Sequence, residues 1–137
     1  MRWSFLLFLA SCLSACGGGD GVTPVPASGA TFCGVITGSG RITGTVSSVH
    51  DGDTLTLEGK SIRLDSIDAP ELDQAYGHAS RDHLAALVLG QRVTVTYAKT
   101  DLYDRVVGTV FKPDCTQVNL SQVRAGAAWY YEAYKCE

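Results

Sequence analysis

The sequence has no excess of basic side chains, no cysteine–histidine spacing of a zinc site and no internal repeat. Its 11 lysines and arginines are outnumbered by 14 aspartates and glutamates. Proteins that hold long nucleic acid by electrostatics usually carry a basic face, so the composition disfavours that class. It is compatible with an enzyme that contacts one or two phosphates through a metal ion and two arginines. The length of 137 residues predicts one folded domain.

Residues 1–15 have the pattern of a bacterial lipoprotein signal peptide. Arg2 supplies the positive charge, and residues 3–13 form an apolar run too short for a permanent transmembrane helix. The run leads into the tetrapeptide LSAC, which resembles a lipobox with Cys16 as the acylated first residue of the mature protein. The alternative is an ordinary secretory cleavage site. Because Gly17 stands where aspartate favours inner-membrane retention, we expect an exported protein anchored in the outer membrane by lipid.

The residues after the leader divide into two parts. Residues 16–37 are rich in glycine, proline, serine and threonine and lack periodicity, which predicts a flexible, lipidated tether. Residues 38–137 are predicted to form the folded domain.

Three cysteines remain once the leader is removed and Cys16 is lipidated. An odd number in an oxidising compartment predicts one disulfide and one free thiol. Cys115 follows a predicted strand and Cys136 follows an aromatic stretch that returns past it, which favours the pair Cys115–Cys136. The pair Cys33–Cys115 is the alternative.

Hydrophobic periodicity predicts five strands and two helices. The first helix spans residues 76–89, where Leu84, Leu87 and Val88 fall at helical spacing. The second is short, with Asn119 as its N-cap and Gln122 at the capping-box position. The predicted strands lie at residues 41–49, 54–57, 61–65, 92–97 and 106–112.

The order of these elements favours a β-rich α+β fold. Three strands, a helix, two antiparallel strands and a helix fit a five-stranded barrel of the OB type. The first helix follows the third strand, and the short helix is C-terminal.

Two acidic turns flank Arg63 within residues 49–71, VHDGDTLTLEGKSIRLDSIDAPE. Strands that end in acidic turns can bring Asp53 and Asp68 to one end of a sheet. Carboxylates in one pocket raise each other's pKa unless a cation binds, and such hard oxygen ligands suit calcium or magnesium. Each turn alone is also compatible with ordinary turn chemistry.

Taken together, the motifs resemble the staphylococcal nuclease (thermonuclease) family over about residues 41–135. The resemblance implies an OB barrel and a calcium-dependent phosphodiesterase that hydrolyses DNA and RNA as a monomer. The alternative is a non-catalytic OB module that binds nucleic acid or a protein partner. The matching motifs are DGDT at 51–54, RL at 63–64, IDAPE at 67–71, YG at 76–77, DLYDR at 101–105, VN at 118–119 and VRAG at 123–126.

The resemblance also implies which residues bind the metal and activate water. Asp53 and Asp68 would bind Ca²⁺ through their carboxylates, and Ala69 through its backbone carbonyl. Glu71 would act as the general base or orient the attacking water. The family often has threonine in place of Ala69, and the loop that follows Glu71 is short here.

Four further residues would bind the substrate. Arg63 and Arg105 would bind the scissile phosphate. Tyr103 would bind the neighbouring phosphate or sugar, and Tyr134 would lie beside the bound nucleotide. Either arginine could instead pair structurally with a nearby aspartate, and either tyrosine could only pack. The family continues with another helix where this sequence stops, which is compatible with a domain truncated at its C-terminus.

Overall fold

A computed structural model describes Cys33 and residues 40–131. The predicted signal peptide, Cys16, Tyr134 and Cys136 lie outside these residues. Each predicted strand and helix is present, and the largest difference is that the strand predicted at 92–97 continues to Thr100. Two short strands were not predicted. The elements are β1 Gly40–Val49, β2 Thr54–Leu57, β3 Lys60–Leu64, β4 Ile67–Asp68, α1 Gly77–Val88, β5 Arg92–Thr100, β6 Val106–Phe111, α2 Val118–Arg124 and β7 Trp129–Tyr130.

Five strands close into a barrel in the order β1-β2-β3-β6-β5, as expected for an OB-type fold. Four of the pairings are antiparallel, but β3 and β6 pair in parallel, which differs from the antiparallel arrangement that we predicted. Strand β2 turns into β3 through Glu58 and Gly59, whose φ angles are 48° and 79°. Positive φ at both positions is the geometry of a tight two-residue hairpin.

The core consists of aliphatic side chains inside the barrel, covered by α1. Leu84 and Val88 of α1 are fully buried, as the helical spacing predicts. Burying one leucine or valine stabilises the fold by about 1.5–3 kcal/mol. The barrel contributes Val46, Leu55, Leu57, Ile62, Leu64, Val93, Val95, Val106 and Val110.

Helix α2 begins differently from the prediction. Asn119 lies inside the helix and Gln117 is the N-cap residue, with no side-chain capping bond. The Asn119 side chain accepts a hydrogen bond from the Val110 N–H (3.0 Å) and donates to the Asp65 carbonyl (3.0 Å). The predicted capping box is therefore wrong, because backbone groups of the barrel bind the Asn119 amide instead.

The disulfide joins Cys33 to Cys115, with their Cα atoms 5.2 Å apart. The preferred prediction of Cys115–Cys136 is therefore wrong and the alternative is correct. The turn after β6 places Cys115 at a φ of 68°, and its N–H donates to the Lys112 carbonyl. This turn presents the Cys115 side chain to residue 33. Within the part of the chain that the structure describes, no helix is long and apolar enough to cross a membrane.

Candidate functional site

Asp53 is a buried carboxylate in the turn between β1 and β2, with 6% of its surface exposed. Its Oδ2 atom accepts a hydrogen bond from the Ala69 N–H (2.7 Å), and its Oδ1 atom accepts one from the Thr54 hydroxyl (3.1 Å). Burial raises the pKa of Asp53 from 3.8 to about 7, although the Arg63 guanidinium and the Ala69 N–H oppose this effect. A cation bound beside this buried carboxylate would stabilise its charged form.

Arg63 joins the two predicted metal carboxylates. Its Nη1 lies 3.0 Å from Asp53 Oδ2, and its Nη2 lies 3.2 Å from Asp68 Oδ1. The β2–β3 hairpin pairs Arg63 with Thr54, directly after Asp53, and β4 carries Asp68 back towards the same place. The structure therefore brings together Asp53, Arg63 and Asp68, as the sequence predicts.

These donors fit a hard cation such as calcium only as a partial ligand set. Asp53 and Asp68 offer carboxylate oxygens, and the Ala69 carbonyl follows directly in the chain. No cluster of three or more histidine, cysteine, aspartate or glutamate side chains suited to a metal occurs within Cys33 and residues 40–131. Calcium takes six to eight oxygen ligands, so water, backbone carbonyls and substrate phosphate would complete the coordination.

The turn that contains Asp53 is supported by residues of α1 and α2 that were not predicted to belong to the site. Gln122 of α2 is fully buried and donates to the Gly52 carbonyl (2.6 Å) and the Ser80 carbonyl (3.2 Å). His83 Nδ1 contacts Gln122 Oε1. A Cβ atom on Gly52 would lie only 1.8 Å from Ser80 Oγ, so glycine is required there. No local sequence signal distinguishes these residues from ordinary helix residues.

A second group forms in the turn between β5 and β6. Arg105 Nε donates to Asp101 Oδ2 at 2.7 Å, and the guanidinium carbon lies 5.3 Å from the centre of the Tyr103 ring. Asp101 Oδ1 accepts the backbone N–H groups of Tyr103 (2.9 Å) and Arg105 (3.0 Å). Burial would raise the pKa of Asp101, but these hydrogen bonds and the charge of Arg105 together lower it below 3.8.

Both predicted phosphate-binding arginines line one cavity of about 400 Å³. The parallel pairing of β3 with β6 sets Arg63 opposite Val107, two residues beyond Arg105. Leu64, Ile67 and Tyr103 also line this cavity. The arrangement can receive an anion between two guanidinium groups on a partly apolar wall.

Glu71 is exposed in the loop after β4. Its N–H donates to Gln74 Oε1 and its carbonyl accepts the Gln74 N–H, both at 2.9 Å. A Cβ atom on Gly77 would lie 1.9 Å from the Glu71 carbonyl oxygen, so the start of α1 packs directly on this loop. The backbone around Glu71 is therefore fixed, while its carboxylate is accessible to water.

The β4–β7 pair was missed by sequence reasoning, since each strand has only two residues. Asp68 pairs with Trp129, and Ile67 pairs with Tyr130. The Trp129 side chain is 63% exposed. An aromatic residue therefore lies directly opposite one of the predicted metal carboxylates.

Comparison of the sequence with known proteins gives a family match and several relatives. Residues 61–137 match the family described as staphylococcal nuclease homologue. An uncharacterized endonuclease of Escherichia coli is 48% identical over 100 residues, which cover 70% of this chain and 65% of the relative. The micrococcal nuclease of Shigella flexneri is 37% identical over 103 residues, covering 66% of this chain and 59% of the relative.

A more distant relative is the probable staphylococcal-like nuclease CAN1 of Oryza sativa, which is 34% identical over 83 residues covering 61% of this chain and 25% of that protein. The chain thus spans less than two thirds of the length of these relatives. The family match covers more than half of the 137 residues and includes Arg63, Asp68, Glu71 and Arg105. The chain belongs to the staphylococcal nuclease family.

Proposed function

We propose that this protein is a calcium-dependent nuclease that hydrolyses phosphodiester bonds of DNA or RNA. The observation that carries the proposal is the position of Arg63, which contacts Asp53 and Asp68 and also lines a cavity with Arg105. The carboxylates proposed to bind calcium and the cavity proposed to bind phosphate therefore share one residue. The names of the relatives, an endonuclease and a micrococcal nuclease, support the same reaction class.

The chemistry of a phosphodiester explains why this site needs these side chains. The substrate is an anion, so its charge must be neutralised before water can attack the phosphorus atom. Calcium held by Asp53, Asp68 and the Ala69 carbonyl would supply Lewis acidity at a phosphate oxygen. Arg63 and Arg105 donate hydrogen bonds to the phosphate oxygens, and their planar forks match the added charge of the five-coordinate transition state.

Glu71 completes the reaction by accepting a proton from the attacking water. Its carboxylate is accessible to water, and the Gln74 contacts hold its backbone next to the buried Ala69. A positioned general base contributes about 10²–10⁴-fold to the rate. The P–O bond to the leaving oxygen breaks as the bond to water forms, and the leaving oxygen takes up a proton from solvent water. Tyr103 packs against Arg105 and contacts the adjoining nucleotide.

The test is cleavage of a single-stranded oligonucleotide by the full-length chain, in calcium and in EGTA. Glu71→Gln keeps the size of the side chain and removes the base, so we expect a fall in kcat of at least 100-fold. Asp73→Asn is the matched control, because Asp73 is an exposed acid in the same loop. It should retain full activity.

One result would contradict the nuclease function, and another would contradict only the role of Glu71. One is a folded protein that leaves the oligonucleotide intact at every calcium concentration. The other is cleavage that Glu71→Gln and Asp73→Asn affect equally. A folded chain that binds the oligonucleotide without cleaving it would support the non-catalytic OB module instead.

The proposed location is the cell envelope, with a lipid anchor at Cys16. The Cys33–Cys115 disulfide supports export, since structural disulfides form mainly in oxidising compartments. Cells grown with labelled palmitate should incorporate the label into the wild-type chain and not into Cys16→Ser. Equal labelling of both chains would contradict the anchor, and separation of the membranes would locate it.

A further inference from the structure

Trp129 is a large exposed aromatic side chain that no step of the proposed reaction uses. It lies in β7, where it pairs with Asp68 of β4. The Tyr131 N–H donates to the Ser66 carbonyl (3.0 Å), which continues the pairing beyond the strand. Backbone pairing at residues 129, 130 and 131 therefore fixes the position of the Trp129 Cα atom. An indole held on a fixed strand and left 63% exposed is suited to contact a ligand.

The register of the strands places Trp129 on the side of the reaction site. Residues directly opposite in an antiparallel pair have side chains on the same face, with Cβ atoms about 4.5–5.5 Å apart. Trp129 therefore shares a face with Asp68, whose carboxylate is bound to Arg63 at 3.2 Å. A nucleotide whose phosphate reaches Arg63 would have a neighbouring base within reach of the indole ring.

Tyr130 is the natural comparison, because it follows Trp129 and points to the opposite face. It pairs with Ile67 and is 51% exposed. Tyr130 lines a second cavity of about 390 Å³, together with Leu120 and Val123, and neither Arg63 nor Arg105 reaches that cavity. Ile67 lines both cavities, so the two adjacent aromatic residues differ in the residue that each faces, which is Asp68 for Trp129 and Ile67 for Tyr130.

The charge of the chain adds a second reason to expect stacking. A protein with a net charge of −3 gains little affinity from general attraction to the phosphate backbone. Base stacking on an aromatic side chain contributes about 1–3 kcal/mol per base and needs no positive charge. The bases of a duplex already stack on each other, so this contribution is available only from an unpaired base.

We propose that Trp129 is a stacking platform for an unpaired base of single-stranded nucleic acid, next to the phosphate held by Arg63. This inference rests on the proposed nuclease function and adds a substrate preference to it. The indole selects single strands over duplexes. The arginines and carboxylates contact the phosphate and do not recognise the bases.

The first test uses the fluorescence of Trp129 itself. The sequence contains only two tryptophans, Trp3 and Trp129, so Trp3→Phe in the full-length chain leaves one emitter. Glu71→Gln is added to keep the oligonucleotide intact in calcium. We expect oligothymidylate to quench the emission, and an abasic oligonucleotide of equal length to leave it unchanged at equal occupancy. No quenching by oligothymidylate at saturation would overturn the proposal.

The second test compares two matched variants by the anisotropy of a labelled oligonucleotide. Trp129→Leu should weaken binding of oligothymidylate by about 5- to 100-fold and leave binding of the abasic strand unchanged. Tyr130→Leu should leave both affinities unchanged. Equal weakening by the two variants, or equal weakening of both oligonucleotides by Trp129→Leu, would overturn the proposal. If Trp129→Leu does not fold, the fluorescence test still decides.

The two proposals fail separately. Absence of calcium-dependent cleavage in the wild-type chain contradicts the nuclease function, while quenching of Trp129 by oligothymidylate still supports the stacking platform. Calcium-dependent cleavage without quenching contradicts the stacking platform alone.

Discussion

Arg105 Nε donates a hydrogen bond of 2.7 Å to Asp101 Oδ2, and the other oxygen of the same carboxylate accepts the backbone N–H groups of Tyr103 and Arg105. One carboxylate thus fixes both the turn and the guanidinium at its end. With Nε bound to Asp101, hydrogen bonds from Arg105 to a phosphate would come from its two terminal nitrogens. We therefore assign Asp101 as a positioning residue for the phosphate contact proposed for Arg105.

Replacing Asp101 with asparagine should reduce kcat by about 10- to 100-fold, because small errors in the position of a charged donor are costly. The KM for an oligonucleotide should change less than kcat. Asp104→Asn is the control, since it removes the same charge from an exposed position in the same turn. Steady-state kinetics on a single-stranded substrate gives both constants. An equal effect of the two variants would mean that charge, and not position, matters.

The titration of Asp101 should make the free energy of unfolding depend on pH in the acid range. Partial burial raises the pKa of Asp101, but the hydrogen bonds from Arg105 and Tyr103 outweigh it and lower the pKa below 3.8 in the folded state. A lowered pKa contributes stability that is complete above the unfolded value and is lost as the pH falls through the folded value. Urea unfolding should show Asp101→Asn less stable than wild type above about pH 5, with the difference shrinking below about pH 4. A difference that grows in acid would contradict the shift.

Gln122→Met should destabilise the domain by about 1–3 kcal/mol, because the Gly52 and Ser80 carbonyls lose their buried donor. Methionine has nearly the same volume, so packing changes little. Gln91→Met is the control at an exposed glutamine. The free energy of unfolding is measured in urea for both variants. Equal stability of Gln122→Met and wild type would show that the amide contributes nothing.

Breaking the disulfide should also cost stability. Cys33 and Cys115 are 82 residues apart, and closing a long loop typically contributes about 2–4 kcal/mol. We expect Cys115→Ser to lower the urea midpoint in oxidising buffer. Reduction of the wild type should lower the midpoint to the same extent. Cys136→Ser should have no effect. A lower urea midpoint for Cys136→Ser would instead support the pair Cys115–Cys136.

The parts of the fold that were predicted are those encoded by local pattern. The hairpin from β2 to β3 follows from alternation around Gly59, and α1 follows from the spacing of Leu84 and Val88. Strands β4 and β7 have two residues each and leave no periodicity to detect. The parallel pairing of β3 with β6 joins distant residues, so no local signal reports it.

The candidate site shows the same division. Its acidic turns and Arg63 are close in sequence and were predicted, and the family resemblance supplied the more distant Arg105. The contacts of Asn119 and Gln122, which lie next to these turns, were predicted wrongly. Asn119 and Gln122 have the spacing of a helix cap, yet both amides are buried on carbonyls of other elements. Local spacing cannot distinguish a cap from such a long-range contact, and the three cysteines likewise allowed more than one pairing.

The parallel register that sets Arg63 opposite Val107 also has a consequence for how the chain acquires its site. These two residues can meet only when the chain between them closes into a loop. The entropy lost in closing this loop slows folding. The hairpin that carries Arg63 can form early, but Arg105 comes close to it only when β6 pairs with β3. A partly folded chain in which β3 and β6 are still unpaired therefore has Arg63 in place without Arg105 beside it.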